Sequence, residues 1–339
     1  MLPLAITMGC PAGIGPEIIL KHFAHSSEPV QTPSVVLGDL NVMDYYARKL
    51  QLECSIVSWQ PGSPLPTGKG IIPLYQTSTL SSDSIQPGVF NKETAVSMAS
   101  AIKEAVRGIL AGYFSGLCTC PISKEALQKS GNHFPGHTEM LAHLTASRNH
   151  VMMLAGQSLR VTLATIHCGI SQVSGLLTQS SLLQLYRTTH QSLQVDFNIH
   201  NPRLAVAALN PHAGEGGMFG NEEIDIIVPS IESAKKEGID LHGPFPPDTI
   251  FFKAARGDYD AVICMYHDQG LIPFKLLHFK DGVNVTLGLP IVRTSVDHGT
   301  AYDIAGKGVA DASSLAAAIT LANSISYNRT HKKTDDSTE

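Results

Sequence analysis

Seven apolar runs of strand length alternate along this chain with longer segments of helical spacing, and that alternation limits the folds open to it. The runs are "LAITMG", "PSVVLGD", "CSIVSW", "GLCTCP", "RVTLATIH", "RLAVAALN" and "DAVICMYH". Between them lie "KETAVSMASAIKEAVRGILAGYF", "SSLLQLYRTTHQSLQVDF" and "EEIDIIVPSIESAKKEG", and "DASSLAAAITLANSI" follows near the end, each with the apolar repeat of an amphipathic helix. Strand–helix alternation predicts an α/β protein with a largely parallel core sheet. One departure is "VMMLAGQSLRVTLATIH", where two apolar runs flank Gly156–Gln157 and predict a hairpin. The polar, aperiodic tail from Asn328 is expected to fray.

Composition narrows the function. A length of 339 residues allows two domains, and 43% hydrophobic with 16% charged residues is a globular balance. A net charge of -5 with no basic cluster leaves no footprint for nucleic acid. No apolar stretch is long enough to span a membrane. The start, "MLPLAITMGCPAG", lacks the basic head and apolar core of a signal peptide. The six cysteines have no framework spacing, so they are expected to be reduced thiols in a cytoplasmic protein.

Open α/β sheets bind ligands beyond the carboxyl ends of their strands. "RVTLATIH" ends at His167, "RLAVAALNPH" at His212 and "DAVICMYH" at His267. One strand-end histidine is ordinarily a surface or capping residue. Three at matching positions, among 15 histidines, suit a divalent transition metal with an open position for substrate. Both readings stand on the pattern. Downstream, Lys275, Asn284 and Arg293 occupy a charge-poor stretch, where an ammonium, an amide and a guanidinium suit a phosphate or carboxylate. The snorkelling surface cation is the plainer alternative. "AGEGGMFGNEE" after His212 is a Gly-rich turn able to approach an anion, or simply a connection. "TMGCPAGIGPEIIL" is strand, turn and helix without the GxGxxG spacing of a dinucleotide fingerprint.

"SVDHGTAYDIAGKGVAD" resembles the segment that holds the adenosine part of the nicotinamide cofactor in β-decarboxylating dehydrogenases. With "PAGIGPE", "GHTEML", "LNPHAGEGG", "PPDTIF", "MYHDQGLIPFK" and "GVNVTLGLPIVRTSVDHGTA", the chain from about Leu4 to Asn323 resembles the 4-hydroxythreonine-4-phosphate dehydrogenase family of vitamin B6 synthesis. That resemblance implies the isocitrate/isopropylmalate dehydrogenase-like fold, two α/β/α subdomains with a cleft between them. The expected boundaries are 1–130 plus 295–339 for the cofactor side, and 131–294 for the metal, substrate and dimerisation side.

The resemblance also implies roles. His167, His212 and His267 would bind one divalent ion (zinc, magnesium or cobalt), and His137, Thr138, Lys275, Asn284 and Arg293 the phosphorylated substrate. His298, Gly299, Thr300 and Asp303 would take NAD or NADP. The family implies a homodimer whose active site is shared, the third histidine coming from the partner. Asp248 and Asp268 are candidate bases, with surface carboxylates as the plain alternative. Cys10 stands where the family usually has an acidic residue. Paralogues acting on acids such as 4-phospho-erythronate share the histidines, so such a dehydrogenase is the nearest alternative. A metal-dependent hydrolase is a more distant one, since it needs no adenosine pocket.

Overall fold

The computed structural model describes residues 2–25 and 33–335. Its strands are β1 (Leu4–Thr7), β2 (Ser34–Gly38), β3 (Ser55–Ser58), β4 (Ile71–Gln76), β5 (Leu117–Thr119), β6 (Val151–Ala155), β7 (Arg160–Leu163), β8 (Leu204–Ala207), β9 (Leu241–Phe245), β10 (Ala261–Cys264), β11 (Val283–Leu287) and β12 (Arg293–Val296). The chain divides into two compact units, residues 1–148 with 289–326 and residues 149–288 with 327–339. The expected α/β class holds for each.

In the first unit the order β3-β4-β2-β1-β5-β12 is parallel throughout. Every residue of β1, β2, β5 and β12 is buried. A parallel strand covered on both faces cannot alternate, which is why these strands read as unbroken apolar runs. Helix Lys92–Leu110 packs on this sheet, started by a reciprocal capping box between Asn91 and Thr94. Asp39, fully buried, caps helix Leu40–Leu50 and also accepts the Leu80 N–H at 2.8 Å and the Ser78 hydroxyl at 2.9 Å.

In the second unit the order is β11-β6-β7-β10-β8-β9. β6 runs antiparallel to both β11 and β7, and β6–β7 is the expected hairpin around Gly156. β10, β8 and β9 continue parallel to β7. Leu154, Val161, Ala205, Val262 and Phe274 meet in its core.

Two expectations change. The first unit takes in helix His137–Leu144 and Arg293, which the boundaries at 130 and 294 placed in the other subdomain. Met140, Leu141 and Ala142 of that helix pack into the core beneath helix Lys92–Leu110. The tail does not fray at Asn328. Helix Ser313–Asp335 runs through it, because Arg329 pairs with buried Asp196 at 2.6 Å and Asn328 donates to the Asp196 carbonyl. Residues 336–339 of that expected tail lie outside the described residues.

Candidate active site

The three strand-end histidines all lie in the second unit. β7 leads to His167, β8 to His212 and β10 to His267, the first residue of helix His267–Leu277. The rings of His167 and His267 stand 6.0 Å apart, centre to centre. Two imidazoles on one tetrahedral zinc put their centres roughly 5 Å apart, so small side-chain rotations suffice. His267 donates from Nδ1 to Asp268 Oδ1 at 2.7 Å, and His212 from Nδ1 to Glu215 Oε2 at 3.2 Å. A carboxylate on Nδ1 directs Nε2 to a metal, so these donors fit a divalent ion. The structure does not place His212 with the other two. Among the described residues, no three His, Cys, Asp or Glu side chains close into a metal-holding group.

The backbone at His212 is unusual. Residues 212–216 all have positive φ, forming a left-handed turn. Only Gly214 and Gly216 are glycines; His212, Ala213 and Glu215 each hold this conformation at a cost of roughly 1–2 kcal/mol.

Buried side chains stitch these strand ends together. The Thr165 hydroxyl donates to the Met265 carbonyl at 2.8 Å, joining the ends of β7 and β10. Gln269, buried, accepts the Met265 N–H at 2.7 Å and donates to the Ala208 carbonyl at 2.6 Å, joining β10 to β8. Lys275 lies over the Phe279 ring on helix His267–Leu277, and Asn284 is half-buried on β11 opposite Leu154. Asp248 is exposed in the first turn of helix Pro247–Ala255.

The first unit holds a different constellation. Arg293 opens β12, is 3% exposed, and donates to the Thr119 hydroxyl at 3.0 Å. Burial lowers its pKa to about 10, so the guanidinium stays charged at neutral pH. Helix His137–Leu144 begins beside it, with Gly136 offering no side-chain cap to its first N–H groups. His137 Nε2 is fully shielded and unpartnered. Burial, and then the Arg293 charge, hold this imidazole's pKa well below the ordinary value. A guanidinium, an uncapped helix N-terminus and a neutral imidazole together suit an anion.

The His298–Asp303 segment is anchored from below. Ile14 N–H donates to the Thr300 carbonyl at 3.0 Å. Tyr302 stacks on Phe90 and donates to Cys10 Sγ at 3.3 Å. Buried Glu17 accepts the Ala310 and Gly306 N–H groups, while Lys21 donates to the Gly308 and Ala310 carbonyls. Nothing lies within 4 Å of the position a Gly299 Cβ would take, which leaves open space beside this loop. Glu17, Lys21, Glu223 and Gln269 escaped the sequence reading. Their only signal was a charged or amide side chain beside apolar residues.

Fold and donor groups define an α/β enzyme built to handle a small anionic substrate. The model of the pyridoxal phosphate biosynthetic protein PdxA family matches residues 30–322, and the chain belongs to that family. It is 50% identical over 327 residues to the 4-hydroxythreonine-4-phosphate dehydrogenase of Desulfosudis oleivorans, covering 94% of each chain. It is 43% identical over 344 residues to a Bradyrhizobium diazoefficiens protein provisionally named D-threonate 4-phosphate dehydrogenase, covering 97% of this chain and 98% of that one. The crystal structure of the Klebsiella pneumoniae 4-hydroxythreonine-4-phosphate dehydrogenase superposes with a TM-score of 0.89 at 38% identity, over 96% of this chain and 98% of that one.

Proposed function

We propose that this protein oxidises and decarboxylates 4-phosphohydroxy-L-threonine to 3-amino-2-oxopropyl phosphate, with NAD or NADP as acceptor, on the route to pyridoxal 5'-phosphate. The observation that carries this reading is the cradle of Arg293, His137 and the uncapped start of helix His137–Leu144. A phosphate monoester needs such a guanidinium and such N–H donors.

When bound, a divalent ion (zinc, magnesium or cobalt) supplies Lewis-acid polarisation of the substrate hydroxyl, and the nicotinamide accepts hydride. His167, His212 and His267 would hold the ion. Asp268 keeps His267 in the tautomer that leaves Nε2 for it. His137 stays neutral and, with Thr138, Lys275, Asn284 and Arg293, orients the substrate. Asp268 and Asp248 are the candidates for taking the hydroxyl proton. His298, Gly299, Thr300 and Asp303 would line the adenosine side of the cofactor, where the open space at Gly299 admits it.

The protein would work in the cytoplasm as a homodimer whose two active sites each draw on both subunits. Helix His267–Leu277 and the residues after it expose Ile272, Leu276, Leu277 and Phe279, an apolar surface of the kind a two-fold contact covers.

A second reading rests on Cys10. Burial pushes its thiol pKa up, and it sits in a Tyr302 hydrogen bond, so a neutral group stands where the family resemblance implies an acidic residue. A phosphorylated hydroxy acid without an ammonium, such as a 4-phospho-tetronate, makes no demand for a carboxylate at this turn. A panel of phosphorylated hydroxy acids assayed for NADH or NADPH formation separates the two. The fastest turnover is expected with 4-phosphohydroxy-L-threonine. A preference for the ammonium-free acids installs the second reading, and no cofactor reduction with any of them defeats both. NAD should also raise the melting temperature, which a metal-dependent hydrolase would not show.

A further inference from the structure

We infer that Glu223 is a positioning residue for His212, bracing the left-handed turn from beneath; this rests on the metal role proposed for His212. Residues 212–217 are six consecutive positive-φ positions, three of them not glycine, and make a turn that its own sequence does not favour. Something outside the turn must hold it. Glu223, 3% exposed, does so from the first position of the π-helical turn Glu223–Ile227.

Its Oε1 accepts the backbone N–H groups of Leu209 and Asn210, both at 2.8 Å, and so fixes the two residues before Pro211. Its Oε2 accepts the Asn210 side-chain amide at 2.9 Å. The same oxygen lies 2.7 Å from where a Gly214 Cβ would be, so the carboxylate also sets the height of the turn above it. Asn210 is shared with Glu222 at 2.8 Å, and Glu222 takes the Ser174 hydroxyl at 2.6 Å. Ser174 follows the His167 loop on the segment Val173–Leu176. One polar chain, buried at its Glu223 end and exposed at Ser174, therefore runs from beyond His167 to the turn that carries His212. The carboxylate spends its acceptors on orienting this backbone, the usual work of an outer-sphere residue at a metal site.

The test uses Glu223→Gln, which keeps the shape but offers the Asn210 amide or the backbone N–H pair a donor instead of an acceptor. Affinity for Co2+ alone, from competition with a chromogenic chelator, and the visible Co2+ spectrum are read beside the metal-free melting temperature. Ser230→Ala serves as the control for general damage, since that buried hydroxyl bonds Tyr186 and the Ile227 carbonyl in the following helix. The expected result is a loss of about 10- to 100-fold in Co2+ affinity with an altered spectrum for Glu223→Gln, and none for Ser230→Ala. Equal losses in both variants would reduce Glu223 to a structural residue and overturn the inference. So would wild-type Co2+ binding by Glu223→Gln alongside weakened binding by His212→Ala. Unchanged binding by His212→Ala would instead remove the metal role of His212, and the inference with it.

Discussion

Nδ1 of His267 lies 2.7 Å from Oδ1 of its neighbour Asp268, while the His267 ring faces His167 across 6.0 Å. Adjacent residues rarely pair so usefully. Here the helix starts at His267, and its first turn brings the Asp268 carboxylate back onto the ring. Asp268→Asn would put an amide where the acceptor stood and release the tautomer. Metal affinity is expected to fall about 10- to 100-fold. Because the Asp268 side chain is 71% exposed, the metal-free melting temperature should hardly move. Equilibrium dialysis of both proteins against zinc checks this, and an unchanged affinity would make Asp268 a surface residue.

Arg293→Lys should keep the charge and lose the planar, two-pronged donor. Its KM for the phosphorylated substrate is expected to rise by at least tenfold, the loss of about one charge-assisted hydrogen bond. NAD affinity should be nearly unchanged. Initial rates at varied substrate and at varied NAD separate these effects, and equal losses in both would assign Arg293 elsewhere.

How much of this was legible in the sequence depends on what each residue needed as a partner. β1, β2 and β10 were legible because strands covered on both faces are apolar throughout. β4 and β9 were not, since Pro73 and Gly243–Pro244 sit inside them and weaken the strand pattern; their pairing with β2, β3 and β8 overrides it. The strand-end histidines showed themselves by position. Glu17, Glu223 and Gln269 did not, because their partners lie at distant points of the chain or in backbone whose placement only the fold decides. His137 was found through its motif, but the side of the boundary it belongs to was set by Met140 and Leu141 packing into a core no local pattern reveals.

Glu17 tests the anchoring of the His298–Asp303 segment. Glu17→Ala would strand the N–H groups of Gly306 and Ala310 and leave the Lys21 ammonium without its carboxylate at 3.3 Å. Leaving buried donors unpaired costs about 1–3 kcal/mol each. A lower melting temperature and weaker NAD binding by calorimetry are expected together. Weakened stability with wild-type NAD affinity would detach the loop from the cofactor.

His137 gives the acid side of the stability curve a direction. Its folded pKa lies well below 6.5, held there first by burial and then by Arg293. Below 6.5 the unfolded chain takes up a proton that the folded ring refuses, so the unfolded state binds more protons and stability falls as the pH is lowered. The loss is up to about 1.4 kcal/mol per pH unit until the folded ring titrates, and it is absent above 6.5. His137→Gln should therefore flatten the decline in urea midpoint between neutral pH and mild acid. Burial lowers His22 in the same direction, so a residual slope remains. A variant with the full wild-type slope would mean that His137 is protonated in the folded protein.

The proposed sharing of the active site between subunits has a decisive test in subunit exchange. The family resemblance implies that each site takes a histidine from the neighbouring subunit, and a mixed dimer tests that directly. The apolar Ile272, Leu276 and Phe279 lie beside His267 in sequence, where a neighbouring subunit would meet them. His267→Ala and His167→Ala subunits, each inactive alone, are mixed and allowed to exchange. If His267 serves the neighbour's site, one site of each mixed dimer carries both lesions and the other carries neither. About half of the mixed dimers' sites then recover activity, which is the expected outcome. The rival outcome is equally concrete, since His167 and His267 of one chain already stand 6.0 Å apart. If that pair serves its own subunit, every site keeps one lesion and no activity returns. Metal content of the mixed dimers, measured alongside, should recover with the activity, because the intact site regains all three imidazoles at once. Silence in both readouts would assign His267 to its own chain's site and leave the dimer contact to be argued on other grounds.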